Sequence, residues 1–242
     1  MPNPRDLWEG LLNLVFPGEP GCPVCGAGDE ALLCPACREA MGALSGKPHC
    51  DRCGRFTGTA APVHYCPECR STRWPFERCR AYGPYDGVLR DAVHSLKYGR
   101  RRELARPLGE LMARTVHPQE AYRTADFLVP VPLTGEAFKR RGFNQAALLA
   151  DSVGRELGLP VRPVLAKVRN TPAQAGLSRA ARLKNLAGSF AVTGGTGIIR
   201  DRTVVLVDDV FTTGSTLSEA ARVLRKVGAA RVLGLVFVAG RN

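Results

Sequence analysis

The chain has 242 residues, 45% of them apolar, and a formal net charge of +12. That length allows one or two domains with an ordinary core, and the charge suggests nucleic acid, a polyphosphate or an acidic membrane surface as partner, against the plainer alternative of a basic soluble surface. No stretch reads as a transmembrane segment, and the N-terminus lacks the positive leader and long apolar run of a signal peptide, so a cytoplasmic setting is expected.

Between Met1 and Phe16 an apolar helical face forms from Leu7, Trp8, Leu11, Leu12, Val15 and Phe16, interrupted by Asp6 and Glu9. Docking on the rest of the protein is favoured over a membrane-surface helix. Eight of the nine cysteines then fall in four C-x-x-C pairs: Cys22/Cys25, Cys34/Cys37, Cys50/Cys53 and Cys66/Cys69. The two-residue gap turns both thiolates of a pair toward one metal, and two pairs complete a tetrahedral zinc site with four cysteine ligands. Two structural Zn2+ ions fit this ligand count. Sequential pairing, which gives two zinc ribbons, is favoured over a cross-braced arrangement. His49 and His64 lie close enough to substitute, but eight cysteines suffice. A disulfide framework is the competing reading, disfavoured without a secretory signal. Cys79 is left over and reads as a buried small hydrophobe. The segment has few large apolar residues, so metal is expected to supply much of its folding free energy. Lys47, Arg52, Arg55, Arg70, Arg73 and Arg78 interleave with Trp74 and Phe76, a mixture that can hold phosphates and stack on bases. A purely structural role is the alternative.

From Arg78 the pattern changes to α/β. A strand is expected at 78–82, helices at 88–98 and 104–116, and a strand at 126–133 that runs into the proline-rich turn Val131-Pro132-Leu133. Lys139, Arg140 and Arg141 follow, then a helix at 146–157 and a strand at 161–168. A polar, basic segment with Gly and Pro comes next, from Arg169 to Phe190. It carries Arg169, Thr171, Gln174, Arg179 and Arg182. The helix end at 97–102 is a basic cluster with one aromatic, read either as a solvated terminus or as a ligand contact.

The most informative stretch is 204–216. Val204-Val205-Leu206-Val207 reads as a buried parallel strand, Asp208 and Asp209 stand at its carboxyl end, and Val210-Phe211-Thr212-Thr213-Gly214-Ser215-Thr216 lead into a helix marked by Leu217, Ala220, Ala221 and Leu224. A last strand is expected at 231–238. Ligands of open α/β sheets bind beyond the strand carboxyl ends, and a helix start offers unpaired N–H groups to a phosphate. Gly214 lets the backbone come close, the hydroxyls add donors, and the carboxylates are acceptors for sugar hydroxyls. One loop therefore suits a phosphorylated sugar. The plainer reading is a βα turn whose carboxylate caps the helix.

This stretch resembles the phosphoribosyl-pyrophosphate (PRPP) motif of type I phosphoribosyltransferases. The resemblance implies that Asp208 and Asp209 hold the ribose diol and act in catalysis, and that residues 210–216 hold the 5′-phosphate. It implies that Val131, Pro132 and Leu133, helped by Arg140 or Arg141, hold pyrophosphate, with Mg2+ bound together with PRPP. The segment carrying Arg169, Thr171, Gln174, Arg179 and Arg182 would be a lid, against the alternative of an ordinary surface connection. L-K-Y-G-R, V-P-V-P-L, K-R-R-G-F-N-Q-A, R-N-T-P-A-Q-A-G-L and the PRPP motif occur in order behind the paired cysteines. Together they resemble the ComF family of competence proteins, over nearly the whole chain. The expected architecture is an α/β fold. It has an open parallel sheet of the type I phosphoribosyltransferase kind at 79–242 and a Cys-rich double zinc-ribbon module at 1–78. The family resemblance implies phosphoribosyl transfer acting with single-stranded DNA in natural transformation, at the cytoplasmic face of the membrane and beside proteins of the DNA-uptake machinery. A non-enzymatic, PRPP-gated nucleic-acid binder or an adaptor is the alternative. The phosphoribosyl acceptor is not legible.

Overall fold

The computed structural model describes residues 21–28, 32–58, 63–169 and 188–241. The expected N-terminal helix, and Thr171, Gln174, Arg179 and Arg182 of the expected lid, lie outside them.

Two short cysteine knuckles open the described chain. In each, a Cys-Pro step starts a helix, because proline at the first helical position has no N–H to leave unpaired. The helices are α1 (Pro35–Leu44) and α2 (Pro67–Ser71). Then follow β1 (Arg78–Pro84), α3 (Gly87–Tyr98), a 3-10 turn at Arg102–Leu104, α4 (Ala105–Val116), α5 (Glu120–Arg123), β2 (Phe127–Pro130), α6 (Gly135–Arg141) and α7 (Gln145–Leu157). The chain closes with β3 (Leu165–Lys167), β4 (Phe190–Val192), β5 (Thr203–Phe211), α8 (Ser215–Lys226) and β6 (Arg231–Ala239).

The main sheet runs β1-β6-β5-β2, every pair parallel. The period of two along β5 divides its apolar residues between two cores. Val205 and Val207 face a layer containing α3, α4 and α7, with Met41 and the Cys22 cluster at its edge. Val204 and Leu206 face Leu217, Ala220 and Leu224 of α8, together with the Cys50 cluster, Trp74 and Phe76. Each buried aliphatic side chain contributes about 1.5–3 kcal/mol relative to exposure, so the four successive apolar residues anchor the strand on both faces. Each zinc knuckle thus packs on a different face of one sheet.

Two sequence expectations change. The strand expected at 161–168 shrinks to β3, which pairs antiparallel with β4 outside the main sheet. Val161 makes one parallel bridge to Leu128. Pro163 then removes a donor, and the ladder cannot continue. The strand expected at 126–133 ends at Pro130, and the chain enters α6, which sequence periodicity missed. Its start was written in Thr134, whose hydroxyl accepts a hydrogen bond from the Ala137 N–H at 3.1 Å.

Candidate active site and zinc centres

The edge strand β2 ends at Pro130, in register with Val207, while its neighbour β5 continues to Phe211. Just beyond that line lies a cleft of about 430 Å3, lined by Asp208, Asp209, Val210, Thr212 and Thr216 on one side and by Val131, Pro132, Leu133 and Arg141 on the other. Tyr85, Lys97, Thr134, Asn144, Gln145 and Lys167 complete its wall. Phe211, Thr213, Gly214 and Ser215 shape a smaller recess beside it, around the start of α8. Arg140 is exposed to solvent, and Arg141 alone of that pair reaches the cleft. Arg169 lies at the end of the described segment, outside the lining.

The turn into α8 is held tightly. Gly214 has φ 73°, a left-handed conformation that glycine adopts without strain. A Cβ there would lie 2.5 Å from the Phe211 ring and 2.8 Å from Trp74. Among the described residues no side chain caps α8, so the N–H groups of its first turn are available to a ligand. Thr213 and Ser215 share a hydroxyl hydrogen bond of 2.9 Å at the same place.

Charge in the cleft is unevenly balanced. Lys97, from α3, sits 2.9 Å from Asp209. Burial acts to lower the Lys97 ammonium, but the Asp209 carboxylate outweighs it and holds the group above its ordinary value. Burial and then the neighbouring Asp209 push the Asp208 carboxyl up to about 7, with only partial relief from Lys97. Burial lowers Lys167, which faces Asp208 from β3. On the far wall Asn144 donates to the Val131 carbonyl at 3.0 Å and caps α7 through Ala146, fixing the 131–133 turn against a helix start. Arg141 donates to Gln145 at 2.9 Å. The remaining Arg141 Nε and Gln145 Nε2 donors are buried without a hydrogen-bond partner among the described residues.

The cysteines gather as two separate groups, Cys22/Cys25/Cys34/Cys37 and Cys50/Cys53/Cys66/Cys69, each with all Sγ atoms within 4.8 Å of one another. This is the sequential arrangement. Cys25 and Cys34 are 3.6 Å apart, and Cys53 and Cys66 are 3.8 Å apart. A tetrahedron with Zn–S bonds of about 2.3 Å has edges near 3.8 Å, so the four-sulfur donor sets fit zinc in shape and chemistry. N–H groups orient the sulfurs: Cys37 N donates to Cys34 at 3.4 Å, Cys66 N to Cys50 at 3.3 Å, and the Trp74 indole to Cys69 at 3.1 Å. Neither histidine joins a cluster. His64 bonds Asp51 at 2.8 Å, and His49 bonds the Lys47 carbonyl. Cys79 is fully buried and its thiol is pushed up by that burial.

One sequence reading of this module is corrected. Trp74 and Phe76 are 6% and 1% exposed, stacked on each other and edge-on to Phe211. They pack behind Phe211, which lines the recess at α8, and cannot stack on bases. Arg55 is likewise buried and paired with Glu68.

Sequence reasoning passed over Lys167 and left Lys97 unassigned. Lys97 follows the inward Leu96 on α3, so its stem lies against the core and its ammonium reaches the carboxylates. Lys167 carried no signal, since its position depends on the β3–β4 hairpin.

The fold defines an α/β phosphoribosyltransferase-like domain carrying a double zinc ribbon. Models of two families match the chain: the phosphoribosyl transferase domain over residues 140–242 and the double zinc ribbon domain over 11–82. Competence protein F of Haemophilus influenzae is 32% identical over 202 residues, covering 81% of this chain and 85% of the relative. DNA utilization protein YhgH of Escherichia coli K12 is 34% identical, covering 83% and 87%. Competence protein ComFC of Bacillus subtilis is 26% identical, covering 83% and 81%. A solved glutamine PRPP amidotransferase from B. subtilis aligns at 21% identity with a TM-score of 0.38, covering 55% of this chain and 26% of that one. The chain belongs to the ComF family of competence proteins. Among the described residues no helix is long and apolar enough to cross a membrane.

Proposed function

We propose that the cleft binds Mg2+·PRPP and carries out phosphoribosyl transfer. The observation that carries this reading is the pairing of two incomplete surfaces. An uncapped helix start and two carboxylates face the orphaned donors of Arg141 and Gln145. An anion is what each donor set lacks, and a diol is what the carboxylates can accept. The 5′-phosphate would take the Thr212–Thr216 turn, the ribose diol Asp208 and Asp209, and the pyrophosphate the 131–133 turn with Arg141.

The acidic pair also fits a hard divalent cation, since Asp208 is driven toward neutrality by burial and its carboxylate neighbour, and a cation would relieve that repulsion. Magnesium would supply charge neutralisation to the leaving pyrophosphate. In transfer, the bond from C1 of ribose to the pyrophosphate oxygen breaks, the electron pair leaves with pyrophosphate, and the acceptor bonds to C1. The positive charge that grows on the ring is stabilised by Asp208 and Asp209.

The names of the relatives, competence and DNA utilization, support single-stranded DNA as partner, in the cytoplasm at the inner face of the membrane with proteins of DNA uptake. We divide the chain at 78/79, with zinc ribbons before and the transferase-like unit after. The deciding experiment is pyrophosphate release from Mg2+·PRPP, with nucleobases or single-stranded DNA as acceptor, beside the Asp208→Asn/Asp209→Asn protein. Release above that control supports transfer. Tight PRPP binding by calorimetry without release leaves a PRPP-gated DNA binder, and absence of both refutes the reading.

A further inference from the structure

The mouth of the cleft carries a row of planar groups. Tyr85, in the cleft wall, is hydrogen-bonded to His94 at 3.3 Å. The His94 ring lies 5.5 Å from the Tyr98 ring. The Arg141 guanidinium, back in the cleft wall, sits 5.3 Å from the centre of Tyr98. His94 is exposed, and Tyr98 is 58% exposed. Arg100 and Arg140 are exposed on the segments bearing Tyr98 and Arg141, and neither has an ion-pair partner among the described residues.

We propose that this row is the nucleic-acid surface of the protein, and that it seats a single strand with its bases on His94 and Tyr98 and its phosphates on Arg100 and Arg140. A succession of rings ending in a guanidinium plane, with exposed cations on the two flanking segments, matches a strand whose bases are unstacked and whose backbone is charged. A duplex hides its base faces and would use only the cations. An acidic peptide would likewise leave the rings idle. In the zinc module Trp74 and Phe76 are walled into the core, and the exposed ring of Tyr65 lies in a separate cavity with His64, Arg52 and Arg78, away from the cleft. The row begins and ends in the cleft lining, so a strand held there is presented to whatever the cleft activates. The placement deepens the PRPP reading and shares Arg141 with it, but the groups that would hold the strand, His94, Tyr98, Arg100 and Arg140, are not among the residues proposed to hold PRPP.

The test uses the full-length, zinc-loaded protein and a fluorescein-labelled oligothymidylate of about twenty nucleotides, read by anisotropy beside the matching duplex. Stacking of one base predicts about tenfold weaker single-strand binding for Tyr98→Ala and a change within about twofold for Tyr98→Phe. Arg100→Gln/Arg140→Gln should flatten the salt dependence by about 1.4 units of slope. Tyr98→Ala binding within about twofold of wild type overturns the proposal, and so does a duplex that binds as well as the single strand. PRPP calorimetry on the same preparations separates the two readings. Oligonucleotide binding without PRPP binding removes the cleft reading and keeps this one; PRPP binding without oligonucleotide binding does the reverse.

Discussion

Lys97 and Asp209 meet at 2.9 Å across the cleft, one from the end of α3 and the other from the end of β5. The ammonium is the direct cationic partner of an adjacent carboxylate pair. Removing it as Lys97→Met should leave two neighbouring carboxylates with only Lys167 nearby. The expected cost is about 2 kcal/mol, or roughly 5 °C in melting temperature. It should be larger at about pH 8 than at about pH 5, because repulsion needs both groups ionised. Thermal melts at the two pH values check this, and equal losses at both would refute it.

Asp208 gives a second pH signature. Its carboxyl stands at about 7 in the folded chain against an ordinary 3.8. A raised carboxyl favours the protonated folded form, so its stabilising effect is complete below about pH 4 and fades as pH rises through 7. Ligand binding has the opposite sense, since a diol or a cation needs the ionised form. Mg2+·PRPP affinity should climb up to about pH 7 and level off above it, with a proton released on binding below that point. Calorimetry in buffers of different ionisation heat measures the proton, and Asp208→Asn should abolish its release.

Gly214→Ala should damage both the fold and the recess at the start of α8. The left-handed backbone costs a non-glycine residue about 1–2 kcal/mol, and the added methyl would drive into Phe211 and Trp74. A melt lowered by several degrees, with PRPP affinity falling more than tenfold, is the expected result.

Zinc content should be two per chain by elemental analysis, falling to one in Cys50→Ser. The second site shares its core with Phe211, so chelation should weaken PRPP binding although no cysteine lines the cleft. Unchanged affinity in the metal-free protein would count against that coupling.

The parallel sheet and the acidic turn were legible because each depends on neighbours in sequence: a β-branched run, two carboxylates, and a small polar loop before a helical period. The cysteine grouping was legible for a similar reason, the spacing within each pair. What stayed hidden depends on long-range placement. Lys97 becomes a partner of Asp209 only when β1 brings α3 beside β5. The burial of Trp74 could not be read from local composition, because interleaved Arg and aromatic residues look the same on a surface and at a module seam. Pro163 was visible, yet an apolar run outweighed it in the strand assignment.

The seam formed by Trp74, Phe76 and Phe211 limits how the gene can be cut and recombined. Gly54 reinforces it, since a Cβ there would lie 2.8 Å from the Cys79 carbonyl. A fragment beginning at residue 79 would lack the Trp74 and Phe76 rings that pack on Phe211 and expose an apolar face where the ribbon had been. The ribbon therefore cannot be exchanged for another module without repacking the aromatic seam against Phe211.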